Sequence, residues 1–490
     1  MERGKLILVL GTSSGSGKST IATAICRILS NKGYSVAPFK SVNMSRNSVS
    51  LDDGSEIARA QWLQAIASRT VPTKEMNPVL LKPESDGMSQ VIINGRSIGV
   101  LSVRDYWKVV GAKGKRAVES SLDKLLSNYD VVVAEGAGSP SEINLKRTDL
   151  SNSFILSHYD PYAILVSDIE RGGVFASILG TVELMTNPGS LRGVLINKMR
   201  GDQSILNYGI RELERRTGKK VMGIVPFIEG VTLPGEDSFN YDREPILNRK
   251  ICVVKYPYME NYSDLDPLVA YGIGFMYITA ENADMLESCD LIVLPGSKNV
   301  LKDIEYLKSS GIWSKMKKAR KILGICGGFQ ILSNSIYDPE MVQATKTSYK
   351  GLGLLKCTFT YKTAKTTRAV SYRIMNKHLS CGPEKGYEIH YGEMTSSEEE
   401  ALNVIDGRGE GAISNDGLII GTNVHGILEN SCFLKFILNV KVSEKYSEVL
   451  DENIEKLSKT VANSIDLSSV LKYVSSRMAA RDFQGTHGEY

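Results

Sequence analysis

From the N-terminus to about residue 230, short aliphatic and β-branched runs alternate with helix-length stretches whose apolar positions recur every three or four residues. The runs are "KLILVL", "YSVAPFK", "DVVVAEG", "YAILVSD", "RGVLINK" and "KKVMGIVPF". They are nearly continuous in apolar character rather than alternating with polar residues. Strands of that kind are buried on both faces, so the pattern predicts a parallel sheet covered by helices on either side. In "IEGVTLPGEDSFNYDREPILNRK" the periodicity fades into Pro, Gly, Asp and Asn, which predicts a linker near 229–249.

Beyond it the strand signals restart: "ICVVKYPY", "FMYITA", "CDLIVLPGS", "KILGICGG", "GLGLLKCTFTY", "KGYEIHYG" and "LIIGTNVHG". These predict a second α/β unit that also holds antiparallel strands. The last stretch, with "VSEKYSEVLDENIEKLSKTVANSI", is polar and helical in period. The expected organisation is therefore three segments, 1–240, 250–440 and a helical extension 441–490. Both larger units are expected to be doubly wound α/β domains, the first with a parallel sheet and the second with a mixed one.

Length agrees, because 490 residues exceed what one hydrophobic core serves. Apolar residues at 42% and charged residues at 23% are ordinary for a soluble enzyme. A net charge of +4 is too mild for a nucleic-acid binder. No apolar run approaches the roughly 18 residues of a membrane span, so a cytoplasmic chain with no membrane partner is expected. The cysteines (Cys26, Cys252, Cys289, Cys326, Cys357, Cys381 and Cys432) are odd in number, scattered and without a C-x-x-C pair. Neither a disulfide framework nor a zinc site is expected from that spacing, and a reducing compartment fits it.

Two stretches carry chemistry. "LILVLGTSSGSGKSTIATAICRILSNKG" reads as strand, glycine-rich turn and helix. Gly11, Thr12, Ser14, Gly15 and Gly17 let backbone N–H groups approach phosphate oxygens. Lys18 reaches the terminal phosphates, Ser19 offers a hydroxyl to Mg²⁺, and Thr20 opens the helix. Glu135, in "VVVAEGAGSPSEINL", ends a predicted central strand, where open α/β sheets bind ligands, and is a metal candidate. Asp53 and Glu56, in "LDDGSEIARAQ", are weaker metal candidates. Asp168 and Arg171 lie at another strand end, and Asn197 in "VLINKMRGD" is a candidate partner for a nucleotide base.

The second stretch is "KILGICGGFQILSNSI", again strand, sharp turn and helix, with Gly324, Cys326 and Gly328 in a G-x-C-x-G spacing. That spacing predicts a nucleophile elbow with the thiol at its apex. The N–H of Gly327, with that of Gly296 in "LPGS", would form an oxyanion hole. Of the five histidines, His425 in "GTNVHGILEN" is the candidate base.

With these residues assembled, "GICGGFQ", "LPGSKN" and "GTNVHG" resemble the cysteine, oxyanion and histidine motifs of class I glutamine amidotransferases. That class usually carries a carboxylate two residues after the histidine. Here Ile427 occupies the position, and Glu429 follows two residues later. The N-terminal half resembles the dethiobiotin-synthetase-like ATPases, whose loop glycine stands where Gly11 does and whose Mg²⁺-binding Glu matches Glu135. "APFKSVNMSRNS", "GSEIARAQ", "MNPVLLKP", "AEGAGSPSEINL", "DIERGGVFAS" and "KGYEIHYG" follow the order of the cobalamin-pathway glutamine amidotransferases, a branch known for lacking the triad Glu.

The resemblance implies ATP and Mg²⁺, glutamine as nitrogen donor and a corrinoid polycarboxylate as acceptor. It also implies that Cys326 and His425 work as a dyad. Lys40, Arg46, Arg59, Lys82 and Arg171 are candidate contacts for the acceptor's carboxylates. The rival from another class is a P-loop regulatory ATPase with an inactive amidotransferase-like domain, and the presence of both Cys326 and His425 argues against it.

Overall fold

A computed structural model describes residues 3–84, 87–234, 250–316, 321–343, 347–404, 407–440, 442 and 444–476. All six N-terminal runs become strands of one six-stranded parallel sheet. Its order is Lys220–Pro226, Leu191–Met199, Tyr162–Asp168, Lys5–Gly11, Val131–Glu135, Val36–Phe39. Lys5–Gly11 is central, and its residues from Ile7 to Leu10 are fully buried. That burial on both faces is why the run is continuously apolar. The phosphate loop leaves the C-terminal end of this strand and leads into helix Lys18–Asn31.

The second unit is built on a sheet ordered Met276–Ile278, Ile251–Val254, Leu291–Leu294, Ile322–Ile325, Ile419–Thr422, Ala412–Ile413. Only the last pair is antiparallel, so this sheet is mixed, as expected. An antiparallel hairpin, Thr366–Met375 with Ser380–His390, stands beside it and pairs with Val424–His425. Most of the expected linker, 235–249, lies outside the described residues, as does the end of the extension from 477 onward.

The extension does not trail away from the molecule. Helix Tyr446–Ser464 packs on Lys18–Asn31 and joins the core of the first unit through Leu450, Ile454, Leu457 and Val461. The Arg27 side chain, wholly buried, reaches Asp451 at 2.5 Å. A chain that has completed its second unit thus returns to cover the helix of its first.

The cysteine expectation is corrected here. Cys252 is disulfide-bonded to Cys289, and Cys381 to Cys432, both with Cα atoms 6.0 Å apart. Separations of 37 and 51 residues hide such pairs from a reading of spacing, because tertiary folding alone brings the partners together. Cys26, Cys326 and Cys357 stay free. Among the described residues no helix is long and apolar enough to cross a membrane.

Candidate active sites

The N-terminal site is a cavity of about 780 Å³ lined by Ser14, Gly15, Gly17, Lys18, Ser19 and Thr20 of the loop, and by Glu135 and Asn197. Gly11 is glycine for want of room. A Cβ there would lie 2.3 Å from the Ser16 hydroxyl and 2.8 Å from the Lys18 stem. Thr12 sits outside that crowding and bonds the Ser167 hydroxyl at 3.0 Å. Lys18 Nζ donates to the Ser13 carbonyl at 2.9 Å, which curls its ammonium over the loop.

Glu135 is the buried centre of the site, 1% exposed. Its Oε1 accepts from the Ser19 hydroxyl and from Lys40 Nζ, each at 2.8 Å, and Oε2 accepts from Gln64 Nε2 at 2.7 Å. A hydroxyl and a carboxylate oxygen meeting beside a phosphate loop are hard donors that suit Mg²⁺. No cluster of three or more His, Cys, Asp or Glu arranged for a metal occurs among the described residues. A cation at Ser19 and Glu135 would therefore complete its shell with phosphate and water oxygens.

Other sequence candidates lie elsewhere. Asp53 is in the turn before Ser55, accepts from Ser55 N at 3.0 Å and faces Lys74 Nζ at 3.4 Å, away from this cavity. Glu56 is buried in ion pairs with Lys82 at 2.9 Å and Lys365 at 3.0 Å. Burial opposes its charge, but the two ammonium groups overcome that and hold the carboxyl well below its usual range. Asn197 spends its amide on the Ser16 carbonyl at 3.0 Å, so it braces the loop. Asp168 takes Lys198 Nζ at 2.8 Å.

The cations proposed for the acceptor are mostly committed to internal partners. Lys40 is held by Glu135. Arg46 donates to the carbonyls of Pro83 and Pro257, each at 3.1 Å. Arg59 lies over the Trp62 ring at 3.9 Å and donates to Glu429 at 3.1 Å. Lys82 is wholly buried between Glu56 and Glu260 and is closed to any substrate. Arg46, Arg59 and Lys82 thus join the two units, and Arg171 alone of the five is exposed to solvent.

The C-terminal site forms at the turn after strand Ile322–Ile325. Cys326 has φ 51° and ψ −108°, a conformation costly for a side-chain-bearing residue, and its N–H is tied to Thr422 O at 2.7 Å. The helix behind it can pack this closely only because Gly328 has no side chain. A Cβ there would sit 1.9 Å from Leu294 O. Gly327, next to Cys326, packs against the Gly296–Ser297 strand: a Cβ on Gly327 would lie 2.5 Å from Ser297 N, and one on Gly296 would lie 3.5 Å from the His425 ring. The Gly296–Ser297 strand is fixed by pairing with Met259–Glu260. It is also fixed by Asp303, which accepts from the Ser297 hydroxyl at 2.5 Å and from Tyr258 N at 3.1 Å.

His425 is wholly buried and stacked on Tyr387 with centroids 5.0 Å apart, and the Cys326 thiol beside it donates to the Ile389 carbonyl at 3.5 Å. The dyad expectation is corrected at this point. Asp264, from the turn Tyr262–Leu265, meets His425 Nδ1 at 2.7 Å through Oδ2 and accepts from Gly426 N at 3.0 Å through Oδ1. Burial disfavours the imidazolium, yet the Asp264 carboxylate outweighs it and raises His425 to about 10. Ile427 is core, and Glu429 is occupied by Arg59. The only sequence signal for Asp264 is an acid inside the apolar phrase "NYSDLDPLVA".

A phosphate-binding domain and a Cys–His–Asp site in one chain define a glutamine amidotransferase joined to a nucleotide-binding domain. The comparisons agree. Residues 7–238 match the CobQ/CobB/MinD/ParA nucleotide binding domain, and residues 250–433 the CobB/CobQ-like glutamine amidotransferase domain. The chain is 50% identical to a probable cobyric acid synthase of Thermoplasma acidophilum, over 96% of this chain and 100% of that one. It is 49% identical to one of Picrophilus torridus, over 96% and 99%, and 39% identical to the cobyric acid synthase of Clostridium novyi, over 96% and 98%. The chain belongs to the cobyric acid synthase family, the amide-forming enzymes of cobalamin biosynthesis.

Proposed function

We propose that this chain amidates four peripheral carboxylates (b, d, e and g) of adenosylcobyrinic acid a,c-diamide to give cobyric acid, using ATP and glutamine. The observation that carries the proposal is Cys326 in its strained turn against His425 and Asp264, in the same chain as a phosphate loop closed by Glu135.

At the C-terminal site His425, kept protonated by Asp264, holds the proton given up by Cys326, and the thiolate sulfur attacks the glutamine side-chain carbonyl. The oxyanion faces the N–H groups beside Gly327 and Gly296. Collapse of the tetrahedral adduct breaks the C–N bond, His425 returns the proton to the departing nitrogen, and ammonia leaves a thioester. Water then hydrolyses the thioester to glutamate. Asp264 keeps the imidazole in the tautomer and orientation these transfers need.

At the N-terminal site a corrinoid carboxylate oxygen attacks the γ-phosphorus of ATP and ADP departs. Ammonia then attacks the acyl carbon and phosphate leaves. A free carboxylate is too poor an electrophile for direct amidation, which is why activation is required. Lys18 and the loop N–H groups face the charge on the transferring phosphoryl group. Mg²⁺, held at Ser19 and Glu135, would add positive charge against the phosphates.

The test is ammonia release from glutamine, with mass spectrometry of the corrinoid product. Wild type releasing ammonia, Cys326→Ser releasing none and a product carrying four new amides are expected. Two additions starting from cobyrinic acid would assign the a,c-diamide synthase reaction instead, and undiminished release from Cys326→Ser would refute the site.

A further inference from the structure

Next to the thiol site the two units leave a cleft of about 430 Å³ between them. Asp52, Arg59 and Trp62 line it from the N-terminal unit, and Lys385, Tyr387 and Glu429 from the C-terminal one. Tyr387 also stacks on His425, so a single ring separates the cleft from the catalytic imidazole. Neither Cys326 nor Gly327 lines it. The cleft is therefore not the pocket that holds the amide under attack.

Its charges stand in opposition. Arg59, 4% exposed, gives one terminal nitrogen to Glu429 at 3.1 Å, while its Nε is buried with no hydrogen-bond partner. A buried N–H is costly to leave unpaired, and a guest oxygen would satisfy it. Asp52 and Lys385 are exposed and belong to different units. Among the described residues neither makes an ion pair or a side-chain hydrogen bond, with the other or with anything else. Opposite charges that line one cleft without meeting leave room for a dipolar guest between them.

That layout selects by charge. A polycarboxylate or a nucleotide triphosphate would bring several negative charges against Asp52 and Glu429, with few donors to offset them. A simple cation would meet Lys385 and Arg59. An α-amino acid carries both signs on one carbon. Its carboxylate suits Lys385 and Arg59 Nε, its ammonium suits Asp52 and Glu429, and its methylenes suit the Trp62 side.

We propose that this cleft is a second amino-acid site, which holds free glutamine or glutamate as the zwitterion beside the thiol site. The choice of these two rests on the proposed glutaminase role of Cys326, which consumes one and releases the other.

The test fills the catalytic pocket first. A diazoketone analogue of glutamine alkylates the Cys326 sulfur with loss of N₂, and whole-protein mass confirms the adduct. Equilibrium dialysis of the blocked protein then measures binding of glutamine, glutamate and succinate. One glutamine or glutamate should bind per chain, and succinate, lacking the ammonium group, about tenfold more weakly. Tighter glutamine marks a loading site for substrate, and tighter glutamate a holding site for product. Lys385→Glu and Asp52→Lys should each weaken binding roughly tenfold. Before alkylation both variants should keep the wild-type kcat for ammonia release, which shows that the thiol site has folded. No binding to the blocked protein, succinate binding as tightly as the amino acids, or indifference to either exchange overturns the inference alone. Failure of the reagent to label Cys326 in folded protein overturns the glutaminase reading beneath it.

Discussion

Asp264→Asn is the sharpest probe of the thiol site. The substitution keeps the shape and removes one charge from a pair whose members are 3% and 0% exposed. When the thiolate attacks, His425 is an imidazolium, and Asp264 is the carboxylate that offsets its charge. Unit charges about 4 Å apart, at an effective dielectric constant near 20, attract by roughly 4 kcal/mol. At about 1.4 kcal/mol per decade, losing that attraction costs on the order of 10³ in kcat. The amide can also present N–H₂ to Nδ1 and so select the wrong tautomer, which acts in the same direction.

The assay is ammonia release at saturating glutamine, beside amidation driven by added ammonium salt. The first should collapse with little change in glutamine KM, because Asp264 touches His425 rather than the substrate. The second should persist, since it bypasses the thiol site. A loss in kcat below about tenfold would refute the assignment of Asp264 as the orienting carboxylate. Equal loss of both activities would mean that the variant had misfolded.

Glu135→Gln should reverse the pattern, abolishing ammonia-driven amidation while thiol-dependent ammonia release survives. It should also lower thermal stability, because buried Lys40 loses its counter-charge. Asp303, raised by burial to about 7 against 3.8 for a free aspartate, sets a pH signature. Its folded form holds the proton that its unfolded form releases, so its contribution to stability is full below about pH 4 and is lost as pH rises toward 7. Wild type should therefore lose urea-midpoint stability relative to Asp303→Asn as pH rises across that window, and a difference that stays constant or moves the other way would contradict it. Disulfide reduction should lower the melting temperature, closing loops of this length being worth about 3–4 kcal/mol each, and Cys252→Ser with Cys381→Ser should abolish the sensitivity; a melting temperature indifferent to reductant would refute the pairing.

The sequence was most legible where chemistry is encoded by near neighbours. The phosphate loop needs small residues, a lysine and a hydroxyl at fixed spacing between strand and helix. Cys326 likewise needs glycines two residues away on either side. Six continuous apolar runs sufficed for the parallel sheet, since burial on both faces leaves no polar position to interrupt them. All of these are constraints within one turn or one strand, and linear order preserves them.

What only tertiary structure decided depends on residues that meet across hundreds of positions. Asp264 stands 161 residues before His425 in the chain, and no spacing rule joins them. Arg59 and Lys82 read as free cations because Glu429 and Glu260, which neutralise them, belong to the other unit. The same holds for Cys252 with Cys289, and for the helix that returns to cover Lys18–Asn31. A buried charge or thiol is assigned its role by its partner. Local sequence states what a side chain can do, while the fold decides what stands opposite it.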